Sequence, residues 1–488
     1  MRPGRVLPVF VLILALTACA PKVSAPAAPV ATVPATPAVD VDGLIRHGCF
    51  KCLERAADAA QGEQAFEVAA LLTLRAKELG LPYREYLGRA KALAPDARFN
   101  IYLEILEAAP TDSLSGEQYI TNPALASATR ADRGAVGAPQ RVNIGDRART
   151  WRAALPAAPG SAMLRGYATL MANCMARPFG DANPPADDRA VAEREAPLLR
   201  YRAGLCGRID DLRKLRDEDA GFVDADLSIA RVAANGRIPE LDEALTHIQS
   251  AAAAFPDSLA IADVLGAVHE EREEWTDALT AFDGVIARMP QHRDALLGRT
   301  IALSRLGRYE DGMAAATTLL DLGSWYLGEA YYWRAWNEFQ LQRYPVPRTD
   351  TDQAKSLMVN AAVFVLSGLI EWNERRLPTA ESELLEALKI DLGRCDAARY
   401  LGRVRLQRRE LPQAIAAFKQ AIQCFDLTIT ARQKLIADIE ASAATPATKA
   451  RLVAGHERAI ASAMHDRDEC AQNLADSEKA AAASSQPG

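Results

Sequence analysis

The sequence predicts an all-α fold: a solenoid of antiparallel helix pairs with a 34-residue period, preceded by an irregular helical region and closed by capping helices. Three observations predict it. Apolar residues recur at helical spacing, and no stretch alternates as a row of strands would. Hydrophobic residues make up 49% of the 488, yet aromatics only 6%, a balance suited to alanine-rich helices packed through small side chains. A set of small and large residues then repeats every 34 positions between 225 and 428.

Taken in chain order, Arg2 and Arg5 precede the apolar run VLPVFVLILAL, which is too short to span a bilayer, so residues 1–18 read as a secretory signal. The run ends in LTAC. Small residues directly before Cys19 resemble the lipobox of bacterial lipoproteins. That resemblance implies cleavage before Cys19 and lipidation of it. Because Ala20 follows rather than Asp, it also implies an outer-membrane lipoprotein facing the periplasm. Residues 19–42 form the lipid-anchored tether: 20–39 hold only Ala, Pro, Val, Thr, Ser and one Lys, a composition that stays extended and semi-rigid.

Residues 43–224 read as helical, with helices expected at 43–60, 61–79, 83–93, 98–108, 149–156, 161–176 and 188–217. Between them lie a long irregular excursion, APTDSLSGEQYITNPALASATRADRGAVGAPQRVNIGD, and the break RPFGDANPP. These helices are either diverged repeats or an accessory region.

On a 34-residue ruler, segments 259–292, 293–326, 361–394 and 395–428 align. Positions 7 and 8 read Leu265-Gly266 and Leu401-Gly402. Position 20 reads Ala278, Gly312, Ala380 and Ala414; position 24 reads Phe282, Ala316, Leu384 and Phe418; position 27 reads Val285, Leu319, Ala387 and Ala421. An earlier copy at 225–258 supplies Ala244, Ile248, Ala251 and Pro256, and Pro290 repeats that proline. The pattern resembles the tetratricopeptide repeat. Small residues let two helices approach, large ones fill the gap, and proline stops the second helix. Each pair leaves an apolar face that only stacking buries. A degenerate unit begins at GEAYYWRAWNEFQLQRY, where Tyr331, Ala335 and Tyr344 fall near the expected columns and PVPRTDTD should delay or shorten its second helix. Its aromatics, Trp325, Tyr326, Tyr331, Tyr332, Trp333 and Trp336, are either repeat core or a peptide-anchoring patch. Residues 429–480 read as a helical cap and 481–488 as a fraying tail.

Seven cysteines remain beside Cys19, in a compartment that oxidises thiols. Cys395 and Cys424 stand at positions 1 and 30 of one repeat, where the ends of a helical hairpin meet. A bridge there would stabilise by roughly 3–4 kcal/mol on the chain-entropy model. Cys174 and Cys206 flank the RPFGDANPP break and could staple two helices, which leaves Cys470 over. Cys49 and Cys52, inside RHGCFKCLERA, fit a structural staple best. The alternatives are a thiol–disulfide redox pair and, with His47, a metal site. On a helix, residues three apart stand roughly 5–6 Å apart at Cβ against the 3.8 Å a relaxed bridge wants, so a bond would distort the helix.

Other chemistry is missing from the text of the chain. It has no phosphate-binding lysine loop, no nucleophile elbow and no HExxH pair, and its six histidines are scattered. The formal charge of −6, or −8 once Arg2 and Arg5 leave, and the lack of dense Lys/Arg runs exclude nucleic acid as a partner. The expected function is therefore a non-enzymatic envelope scaffold or assembly factor, with no cofactor and no metal. The alternative is a redox protein using Cys49 and Cys52; a third reading places an enzyme within residues 80–224. The repeat resemblance implies that envelope proteins or peptide segments bind the concave face, lined by positions 2, 5, 9 and 12 of each first helix. In this chain those are Asp263 and Glu270; Asp294, Leu297, Ile301 and Ser304; Val365, Leu369 and Trp372; and Asp396, Arg399, Arg403 and Leu406. The chain also looks like bacterial repeat lipoproteins that carry a Cys-x-x-Cys helix, an AYYW-x-A-W segment and a cysteine-flanked last repeat, a group that implies no activity.

Overall fold

In the computed structural model, the described residues are 39–109, 146–176, 196–206, 209–234, 238–323, 326–343, 346–442 and 446–484. The signal, Cys19, the tether to residue 38, the excursion from 110 to 145, the RPFGDANPP break, Trp325 and Tyr344 lie outside them. Among the described residues every regular element is a helix, and those from Asp40 onward pack as one unit.

Six helix pairs run in register. The first is Asp226–Ala234 with Ile238–Ala254, the second Leu259–Glu271 with Trp275–Arg288, and the third Arg293–Arg305 with Tyr309–Leu322. The fourth is Leu327–Gln340 with Val346–Leu357, the fifth Ala361–Asn373 with Leu377–Ile390, and the sixth Cys395–Gln407 with Leu411–Ala441. Each helix packs on its partner and on the next pair, which makes a helical solenoid of the tetratricopeptide type.

The repeat is visible in the backbone as well as in the side chains. Units two to six each place one residue in the left-handed region between their helices: Glu273, Gly307, Gln342, Arg375 and Arg409, with φ between 55° and 74°. The next N–H bonds back five residues, as in Glu274 to His269 at 2.8 Å and Glu410 to Arg405 at 2.9 Å, so each first helix ends in the same carbonyl-satisfying cap. Position 8 has its steric reason on view. A Cβ on Gly266 would stand 2.6 Å from the Phe282 ring, and one on Gly402 2.6 Å from that of Phe418. In the fourth unit the second helix starts late as well as being short: it begins at Val346 after a first helix that ends at Gln340, whereas in the fifth unit Leu377 follows Asn373 after a tighter turn. Val346–Leu357 has 12 residues against 14 in neighbouring units, with Pro347 in the first turn where no N–H is required.

Ahead of the repeats, two expectations are corrected. The helix expected at 188–217 is two within the described residues, Pro197–Gly204 and Ile209–Glu218. The single helix at 43–60 is also two, Val41–His47 and Phe50–Ala57. Gly48 turns left-handed at φ 72° and ends the first, and Leu198 fills the space where a Cβ would sit. Cys49 is extended (φ −62°, ψ 149°) and caps the second helix. Gly62–Glu78, Arg84–Leu93, Asn100–Ala108, Ala162–Met175, Pro197–Gly204 and Ile209–Glu218 follow. Their apolar core does not stop at residue 225: one cluster takes in Ile45, Phe66, Tyr167, Leu198, Ile248 and Val268.

Within this region lies a buried ionic network. The fully buried Arg75 guanidinium stands 3.0 Å from Glu78 and 2.8 Å from Asp224, over the Tyr201 ring at 3.6 Å. Arg202 meets the other Glu78 oxygen at 3.0 Å, and the Tyr167 hydroxyl donates to Glu78. Burial raises the Asp224 carboxyl above its ordinary range against the pull of Arg75. Asp224 also accepts the Phe50 N–H at 2.9 Å, which ties the first turn of Phe50–Ala57 to the network.

Candidate functional site

The concave columns divide into a half-buried stretch and one covered by the chain's own last helix. In units two and three, Asp263 and Asp294 converge near His292. The buried His292 ring accepts the Ala295 N–H at 3.2 Å, capping its helix, and stands 3.8 Å from Asp263. Their ligand atoms lie within metal-binding reach of one another, but the His292 lone pair is already used by that cap. Glu270 is largely enclosed. Burial pushes its carboxyl up to about 7, Glu271 adds to that, and Arg305 opposes it. Leu297 and Ile301 are half-buried beside this acidic stretch. Arg305 lies over the rings of Trp275 and Trp333, at 5.8 and 5.5 Å. Of the aromatic patch, Tyr331 packs inward against Ala354 and Val363, whereas Tyr332, Trp333 and Trp336 are half-buried.

At the far end, the expectation of an open groove is corrected. The final helix, Pro446–Ser484, folds back along Leu411–Ala441 and onto the sixth unit. Arg399 pairs with Asp466 and stands 3.6 Å from Glu469, while Arg403 pairs with Glu469. Arg403 also lies over Trp372 at 5.9 Å and Tyr400 at 5.7 Å, and Trp372 donates to Gln407 at 3.0 Å. Val365 and Leu369 are buried rather than lining a groove, in an apolar cluster that includes Ala463 and Cys470 of the final helix. The physical reason is that this helix has an apolar stripe to bury and two carboxylates to neutralise. Asp396 pairs locally with Arg394 at 2.8 Å. Cys470 is free and buried, and burial pushes its thiol up to about 11 although Arg399 and Arg403 pull it down. Near its start the same helix reaches the second unit: Arg451 donates to the Arg272 carbonyl at 2.5 Å and stands 3.4 Å from Glu274.

The structure joins Cys395 to Cys424, Cys174 to Cys206 and Cys49 to Cys52. The last pair needs no helix distortion, because Cys49 stands outside the helix it caps, with the two Cα atoms 5.0 Å apart. Bonded to each other, these sulfurs cannot both serve with His47 as thiolate ligands to a metal. The sequence reading missed Asp219, Asp466 and Glu469. Its one available signal was the acidic pair three residues apart, preceding Cys470 on the long last helix.

No protein-family model matches the chain, and no curated protein matches it. Solved structures do match. A tetratricopeptide repeat protein from Parabacteroides merdae is 15% identical over 52% of this chain and 92% of that one, with a TM-score of 0.37. The Cut9–Hcn1 hetero-tetramer of APC/C is 14% identical over 90% of this chain and 96% of that one, also at 0.37. YrrB, a TPR protein with an unusual peptide-binding site, is 17% identical over 36% and 91%, at 0.31. At these identities and TM-scores the likeness adds nothing to what the helix pairs themselves show.

Proposed function

We propose that this chain is a lipid-anchored scaffold or assembly factor of the bacterial envelope, carried by Cys19 on the outer membrane and facing the periplasm, that binds a protein segment along its concave face. The supporting observation is how the sixth unit holds the chain's own last helix. Arg399 and Arg403, one turn apart, take the carboxylates of Asp466 and Glu469, while Trp372 and Tyr400 flank the guanidinium of Arg403. This is helix-in-groove recognition performed within one chain. Units two and three offer the same columns with opposite chemistry, acidic at Asp263, Glu270 and Asp294 and apolar at Leu297 and Ile301. They suit a segment that is basic and apolar.

A photo-crosslinker placed in cells at Leu297 or Ile301 should capture a discrete envelope protein. One at Arg403 should instead link within the chain, to the final helix. Background alone at 297 and 301, with a partner captured at 403, would overturn this division of the face. Labelled palmitate should enter the chain and be lost in Cys19→Ser; a Cys19→Ser chain that keeps the label would remove the anchor from the proposal.

A further inference from the structure

The Cys49–Cys52 bridge sits in a setting that a passive cross-link does not require. Cys49 Sγ caps Phe50–Ala57 by accepting the Cys52 N–H at 3.1 Å. His47 Nδ1 lies 3.2 Å from Cys52 Sγ and accepts the Cys49 N–H at 3.4 Å. Its lone pair therefore faces the bridge, and the ring proton is on Nε2, 2.6 Å from Asp219 Oδ2. Asp219 is held in turn by the Gly221 N–H at 2.8 Å. Burial would raise its carboxyl, but that bond and His47 hold it below the usual carboxylate range. Cys49 is buried with Tyr201, Leu212, Leu215 and Phe222, whereas Cys52 is half-buried and the His47 and Asp219 side chains are 34% exposed. Cys52 and the acid–base dyad beside it are thus the more accessible side of the centre.

We propose that this is a thiol–disulfide exchange centre that oxidises a dithiol on a polypeptide, with Cys52 the attacked sulfur, His47 a catalytic residue and Asp219 a positioning residue. This activity is additional to the scaffold reading and does not depend on it. A substrate thiolate attacks Cys52 Sγ. The bridge breaks, and its electron pair leaves on Cys49 Sγ, where the Cys52 N–H and the start of the helix favour negative charge. The second substrate thiolate attacks its own partner sulfur in the mixed disulfide, closing the substrate disulfide and expelling Cys52 as a thiolate. Two electrons pass from the dithiol to the pair, and the two protons it sheds go to Cys49 and to the His47–Cys52 couple. Exchange with any other disulfide runs the steps in reverse and restores the bridge. The charged groups facing the centre are Asp219 with Arg216 near it, and Asp224 with Arg75 behind the first helical turn. Lys51 pairs with Glu54 at 3.0 Å on the outer face.

The test uses the full chain in detergent, dithiothreitol as the probe dithiol, and iodoacetamide capture read by mass spectrometry at each cysteine. Cys49–Cys52 should open before Cys174–Cys206 and Cys395–Cys424. Once open, Cys52 should alkylate at pH 6 at least about tenfold faster than an ordinary thiol with a pKa near 8.5. His47→Gln should abolish that advantage, Asp219→Asn should move the alkylation midpoint upward, and Asp219→Glu should restore part of it. Helix content by circular dichroism checks folding, and if His47→Gln fails to fold, the Asp219 pair carries the same test. An ordinary thiol profile for Cys52 in the native chain, or an unchanged profile in His47→Gln or Asp219→Asn, overturns the proposal. So does a Cys49–Cys52 bridge that opens no sooner than the other two.

Discussion

The two ends of this solenoid are held by opposite chemistry. Behind the Cys-x-x-Cys helix, Arg75, Glu78, Arg202 and Asp224 are nearly or wholly buried, and each charge is neutralised by another. In the sixth unit the same task falls to Gly402, Ala414, Phe418 and Ala421, a column of small and large apolar side chains. The ionic network joins residues far apart in sequence, Arg75 with Asp224 and Arg202 with Glu78. The apolar column lies within one repeat, and the pairs Arg399–Asp466 and Arg403–Glu469 tie its unit to the final helix. An ionic core tolerates no loss of a partner, whereas an apolar core tolerates no change of volume.

The sharpest way to break that contrast is Arg75→Met. It strands Glu78 and Asp224 without their shared cation and should cost about 3–5 kcal/mol in denaturant unfolding. A cost under about 1 kcal/mol, the range of exposed pairs, would mean the network contributes little. Next come two carboxyls in the middle units. Burial pushes both Glu270 and Glu338 up to about 7, while in the unfolded chain they ionise near 4.5. Between those values the folded chain keeps protons that the unfolded chain has released, so stability falls as pH rises from about 4.5 to 7 and then levels off. Glu270→Gln with Glu338→Gln should flatten that fall, seen by comparing unfolding at pH 5 and pH 8. Two rises from 4.5 to about 7 sum to about 7 kcal/mol unscreened, and solvent screening reduces this to on the order of 3–5 kcal/mol.

At the apolar end, Gly402→Ala drives a methyl into the Phe418 ring and should cost about 1–3 kcal/mol. The smallest effect sharpens the repeat itself. Arg409 holds a left-handed turn at φ 63° that Gly307 occupies without penalty in the third unit. Arg409→Gly should raise the unfolding free energy slightly, by up to about 1 kcal/mol in denaturant titration. A loss would show that the Arg409 side chain outweighs its backbone strain.

Much of the solenoid was legible because a repeat states its own contacts locally. Gly266 and Phe282 are 16 positions apart within one helix pair, and the spacing recurs at Gly402 and Phe418. The left-handed turn was not legible, since four of its five residues are not glycine. The covered end of the groove was not legible either. Arg399 meets Asp466 across 67 residues, and no period links them. The same holds for His47 and Asp219, separated by 172 residues, and for Phe50 and Asp224, separated by 174.

What the sequence determined by itself is the helical period, the columns that pack each pair, and the placement of the cysteines at element ends. Short-range sterics and hydrophobic periodicity decide those, and both are written in neighbouring residues. Only the tertiary structure decided which concave side chains the last helix covers, which carboxylates Arg399 and Arg403 hold, and that Asp219 orients the ring beside Cys52. Charge partners are chosen by where the chain returns in space, because a buried ion takes whichever counter-ion folding brings within reach.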